Sequence, residues 1–157
     1  MRSAFALFDT VLRFAIGLAM AGIMLAICLQ VVARGTTGAL PWPEELSVIL
    51  MIWGLLLAAA YVLNERGHVG ITYFVEQLGP KTGPFMIAAM HFLIILFSAA
   101  VIYGSIDKLG SVARLRTGAL GISRAVPNLA IPVACALYIV VSVRIIVESF
   151  DQWRNPG

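Results

Sequence analysis

The sequence predicts an all-α integral membrane protein that crosses the bilayer four times, with a short interfacial amphipathic helix between the second and third spans. Three observations carry this. Of the 157 residues, 61% are hydrophobic and only 12% charged, far above the apolar share of a soluble domain. Four runs lack Asp, Glu, Lys and Arg, at about 14–33, 46–63, 85–106 and 125–143, and each has the length a crossing helix needs, roughly 17–25 residues. The charged residues and the Gly-Pro pairs fall between or beside these runs, where a chain turns back. Residues 1–157 therefore form a single four-span membrane domain.

Residues 1–13 place Phe5, Phe8 and Leu12 at helical spacing beside Arg2, Asp9 and Arg13. This is an amphipathic lead-in at the interface, or an extension of the first span. The first apolar run exceeds the roughly 7–15 residues of a cleaved signal. Ala33 before Arg34 is a poor cleavage site, and bulky Ile27 spoils a lipoprotein box at Cys28, so a retained helix is expected. Gly17 with Ala21, Gly22 with Ala26, and Gly54 with Ala58 in the second span are small residues four apart, a spacing that lets helices approach closely.

The second span opens on Pro41-Trp42-Pro43-Glu44-Glu45. Proline suits a first turn, and carboxylates favour the positive end of the helix dipole. After Asn64, residues Ile71, Phe74, Val75 and Leu78 fall on one helical face, which predicts the interfacial helix. Gly79-Pro80 and Gly83-Pro84 end it. The fourth span carries Pro127 in its first turn and Pro132 further in, where a kink is expected. Residues 144–157 form a polar tail with Trp153 as an interface anchor.

An even number of spans puts both termini on one side. Arg2, Arg13, Arg66, Lys81, Arg144 and Arg154 share that side, against Arg34, Lys108, Arg114, Arg116 and Arg124 on the other. The positive-inside bias barely discriminates between orientations. The net charge of +3 is scattered over several links, without the basic block that binds nucleic acid. Cys28 and Cys135 lie in apolar runs, without metal-ligand spacing.

The polar side chains that the spans offer include Gln30, His91, Ser98, Asn128 and Ser142, and no carboxylate lies mid-span. A secondary transporter needs polar or ionisable groups near the midplane. This chain shows no such site of its own, which points to a non-catalytic partner subunit. An autonomous small oligomeric transporter or channel would need an ionisable pore residue. A haem-binding redox subunit would need His68 and His91 to face each other. Arg34 and the Glu44-Glu45 pair close the two ends of one short link, either as an ion pair of Arg34 with Glu45, or second with Glu44, that fixes the hairpin, or as three separately hydrated boundary residues. Trp53 lies about two turns inside its helix, which favours packing on another helix or subunit over interfacial anchoring. Arg114, Arg116 and Arg124 form either a docking patch for an acidic partner or a solvated loop beside lipid headgroups. Gly110, Gly118 and Gly121 are expected to keep that link adaptable.

The ordered set Gln30-Val31-Val32-x-Arg34, Trp42-x-Glu44-Glu45, Trp53 and Gly67-His68-Val69 resembles the small membrane subunit (DctQ type) of tripartite ATP-independent periplasmic (TRAP) transporters. The resemblance implies a scaffold rather than an enzyme, with Arg34, Trp42, Glu44, Glu45, Trp53 and His68 as partner or structural motif. It implies a large membrane subunit that moves an organic acid with a sodium gradient, and a periplasmic solute-binding protein that captures it. No cofactor is implied for this chain; the sodium belongs to the partner. It further implies the bacterial inner membrane with both termini cytoplasmic. The basic third link then faces the periplasm, where Arg114, Arg116 and Arg124 could meet the binding protein.

Overall fold

A computed structural model of the protein describes residues 2–36, 38–65 and 82–154. Four helices account for most of them: α1 (Arg2–Thr36), α2 (Trp42–Asn64), α3 (Thr82–Val112) and α4 (Ala125–Arg154). Each contains one of the four apolar runs, and each is apolar and long enough to cross a membrane. The expected interfacial helix falls outside the described residues. The N-terminal lead-in is not a separate element; it continues α1, whose 35 residues span roughly 50 Å and exceed the hydrocarbon thickness.

The helices stand in a row ordered α1, α2, α4, α3. Among the described residues α1 packs on α2, α2 on α4, and α4 on α3, while the backbones of α3 and α2 stay apart. The last helix is thus threaded between the second and third. Burial agrees: a third of α4's apolar window is buried (33%), against 11% for the outer helices α1 and α3. Between α2 and α3 an apolar cleft of about 650 Å³ opens over Tyr138.

The α1–α2 seam is built from small residues. Leu12, Ala19, Ala26 and Ala33 are the buried positions of α1 among the described side chains, and they recur every seventh residue, the period of a gently supercoiled seam. Cβ atoms added at Gly54 and Gly22 would lie 3.2 Å from Ala19 Cβ and 2.9 Å from Leu50 Cδ1, so both glycines are close-approach points. Gly17 faces open space instead. The N–H of Gly38 donates to the Ala33 carbonyl at 2.9 Å. Its φ of 102°, a conformation open to glycine, turns the chain from α1 towards α2.

An apolar cluster of Leu63, Val141 and Ile145, with Phe8, Ile87, Ile94 and Tyr138 packed against it, joins all four helices near the end that carries the termini. Polar side chains tie the rest. In lipid the freed groups would otherwise lack partners. The Tyr138 hydroxyl donates to the Leu56 carbonyl at 3.1 Å, and His91 Nδ1 meets Ser142 Oγ at 3.1 Å in a buried pair between α3 and α4. At the terminal end, Asn64 Nδ2 donates to Asp9. Arg144 Nη1 donates to Asn64 Oδ1 at 3.1 Å and its Nε to Glu148 at 2.8 Å. Arg144, read from sequence as the start of a polar tail, is a mid-helix residue that ties α4 to α2, and Asn64 carries the link on to α1.

Candidate functional site

At the opposite end, residues 113–124 fold into a small hairpin between α3 and α4. The N–H of Thr117 donates to the Ile122 carbonyl at 2.8 Å and that of Arg124 to the Leu115 carbonyl at 2.9 Å. An isolated bridge pairs Arg116 with Ser123. Thr117 Oγ1 accepts the Ile122 N–H at 3.0 Å, and Ser123 Oγ donates to the Ala113 carbonyl at 2.8 Å. Gly121 adopts φ 65°, the left-handed conformation this turn requires. The Ser123 hydroxyl also accepts the N–H of Ala125 at 3.2 Å, helping to cap α4. The expectation that three glycines loosen the link meets a different arrangement: Gly110 belongs to α3, and most of the link is hydrogen-bonded.

The hairpin is fastened to α2. Glu45 Oε2 accepts the N–H of Ala119 at 3.0 Å and of Leu120 at 2.7 Å. Glu45 stands in the first turn of α2, started by Pro43, and its side chain points across to the hairpin, whereas Glu44 is exposed. Lower down, the Trp53 indole N–H donates to the Val126 carbonyl at 3.2 Å, so Trp53 packs on another helix as its depth predicted. The expected ion pair of Arg34 with Glu45 is not formed. Two adjacent backbone amides occupy the carboxylate, and among the described residues no ion pair joins Arg34 to Glu44 or Glu45. Arg34 is exposed at the end of α1, beside Gln30, Val31 and Gly35 around a shallow hollow of about 490 Å³.

The three arginines of the link divide. Arg116 Nη1 donates to the Gly121 carbonyl at 2.9 Å and is part of the hairpin's own fastening. Arg114 and Arg124 are exposed, as are Leu115 and Ile122, giving the hairpin a basic outer surface with two apolar side chains. Trp42 is half-buried at the start of α2. His68 lies outside the described residues, and His91 is engaged with Ser142. Missed from sequence were Asp9, Asn64, Arg144 and Glu148. The one available signal was the Arg144 and Glu148 spacing of four.

The model of the DctQ component of tripartite ATP-independent periplasmic transporters matches residues 23–152. The chain belongs to this DctQ family. The match runs from the middle of α1 almost to the end of α4, so it takes in both the latched hairpin and the helix seams. The family is a transporter component, not an enzyme. The sialic acid TRAP transporter small permease protein SiaQ of Vibrio cholerae serotype O1 is 26% identical over 92 residues. That alignment covers 59% of this chain and 53% of SiaQ, so the chain spans about half the length of the curated relative it matches. Family and helices together make this DctQ chain a multi-pass membrane subunit of a TRAP transporter.

Proposed function

We propose that the chain is a scaffold: it braces the large transport subunit of a TRAP system and offers the 113–124 hairpin to the solute-binding protein. The observation that carries the scaffold reading is where the intramembrane polar groups go. Trp53, Tyr138, His91 and Ser142 bond from helix to helix, Ser98 is the one buried side chain among the described residues left without a hydrogen-bond partner, and none of the four runs holds a charge. Such groups stabilise a fixed frame, whereas a transport route needs polar groups left for ion or substrate. A one-helix-thick row also leaves the flanks of α1 and α3 open for contact with lipid or another subunit.

In this reading the chain sits in the bacterial inner membrane with both termini cytoplasmic, and the hairpin faces the periplasm. Arg114 and Arg124 steer an acidic rim of the binding protein, an effect felt mostly in association rate and weakened by salt. The cargo is an organic acid, in keeping with the sialic acid named for the relative, and sodium coupling resides in the large subunit. The test is twofold. Tagged chain co-expressed with the large subunit and purified in mild detergent is expected to bring it down in fixed ratio. Chain reconstituted alone in liposomes with a sodium gradient is expected to take up no organic acid, and robust uptake would overturn the scaffold reading.

A further inference from the structure

We propose that Glu45 is a positioning residue for docking: by holding the tip of the hairpin it presents Arg114 and Arg124 on a fixed platform. This rests on the reading that the hairpin receives the soluble binding protein. The hairpin's internal bonds set its shape but not its place on the membrane face. Place is set by bonds that leave it. Trp53 holds the start of α4 through the Val126 carbonyl, and Glu45 holds the tip through two consecutive amides 74 and 75 residues away in sequence. These two contacts fasten the tip of the hairpin and the adjoining start of α4 to α2, so the first and second helical pairs share one surface there.

The chemistry of the latch is specific. One carboxylate oxygen accepts both N–H groups, and an ionised acceptor strengthens each bond. Glutamine retains a carbonyl oxygen at the same reach and can accept both bonds, though without the charge. Alanine cannot accept either. A loop that must be ordered by its partner loses affinity to that ordering, whereas a preformed one does not. Glu45 thereby contributes to binding without touching the partner.

The experiment uses the complex of this chain with the large subunit in nanodiscs, with the system's solute-binding protein as the probe. Two quantities are read, the Kd of the binding protein and the hydrogen exchange of the 117–122 amides. Glu45→Ala is expected to raise Kd several-fold, to speed exchange at Ala119 and Leu120 by about tenfold or more, and to leave complex yield unchanged. Glu45→Gln is expected to recover most of both. Unchanged exchange in Glu45→Ala overturns the latch. Faster exchange with unchanged Kd overturns its part in docking, and loss of complex yield in both variants reduces Glu45 to a general structural brace. An Arg114→Gln, Arg124→Gln double variant separates the two readings. If it too leaves Kd unchanged, docking on the hairpin fails; if it raises Kd while Glu45→Ala does not, only the positioning role fails.

Discussion

Two glycines in the α1–α2 seam should respond to alanine in opposite ways, and not in the order their distances suggest. A Cβ at Gly22 would lie 2.9 Å from Leu50 Cδ1, and a Cβ at Gly54 3.2 Å from Ala19 Cβ. Carbon atoms prefer separations of about 3.5–4.0 Å. Leu50 Cδ1 ends a flexible side chain and can rotate aside. Ala19 Cβ is fixed to the backbone, so relief at Gly54 requires α1 itself to move outward by some tenths of an ångström. That movement loosens a seam whose other buried positions in α1 are Leu12, Ala26 and Ala33. Overpacking of this kind costs about 1–3 kcal/mol, while replacing a helical glycine by alanine returns about 0.8–1 kcal/mol. Gly54→Ala should therefore lose about 1 kcal/mol net, and Gly22→Ala should be neutral or gain up to about 1 kcal/mol. Thermal unfolding of the purified chain in mild detergent reads the difference as several degrees, at about 2–4 °C per kcal/mol. Adding Ala19→Gly should rescue Gly54→Ala and not Gly22→Ala, a coupling that a double-mutant cycle isolates. Equal losses at the two sites, or no rescue, would refute the fixed-contact reasoning.

Other outcomes can be checked alongside. Trp53→Phe removes the donor to the Val126 carbonyl while keeping the ring, and should cost about 0.5–1.5 kcal/mol in the same unfolding assay. Arg144→Met should lower stability by about 1–3 kcal/mol, since it leaves the Asn64 and Glu148 oxygens without this donor in a partly buried setting. Arg144→Lys should recover little, because one ammonium cannot span both partners as a guanidinium does. Single cysteines placed near residue 2 and near residue 154 should label from the same side of the membrane in intact cells, and labelling from opposite sides would contradict a four-span chain. Arg116→Gln should speed amide exchange across the hairpin, whereas Arg114→Gln should not, because of these two side chains it is Arg116 that donates within it.

The four crossings were legible in the sequence because length and absence of charge are read along the chain. Trp53 was legible from its depth. The order of the helices was not. Its determinants are Ala19, Ala26, Ala33, Ala130 and Ala134, residues that differ little in hydropathy from their lipid-facing neighbours, so no contrast marks the buried face. The mistaken pairing of Arg34 with Glu45 has a clear cause. Formal charges are visible in a sequence, whereas the backbone amides of Ala119 and Leu120 that hold the carboxylate look like any others. The same blindness hid the hairpin, whose fastening is mostly main chain. Asn64 and Arg144 border apolar runs and Asp9 lies about a turn before another, and only the fold reveals that the three meet.

The threading of α4 between α2 and α3 also bears on biogenesis. The first two helices can pair as soon as both have left the insertion machinery, since their seam is complete without the rest. The third cannot: among the described residues its helix neighbour is α4 alone. During synthesis α3 must wait in the lipid with His91 lacking its Ser142 partner until the last span arrives beside it. A stalled or truncated product ending near residue 124 would therefore carry one settled pair and one orphan helix, the form that membrane quality control is built to find.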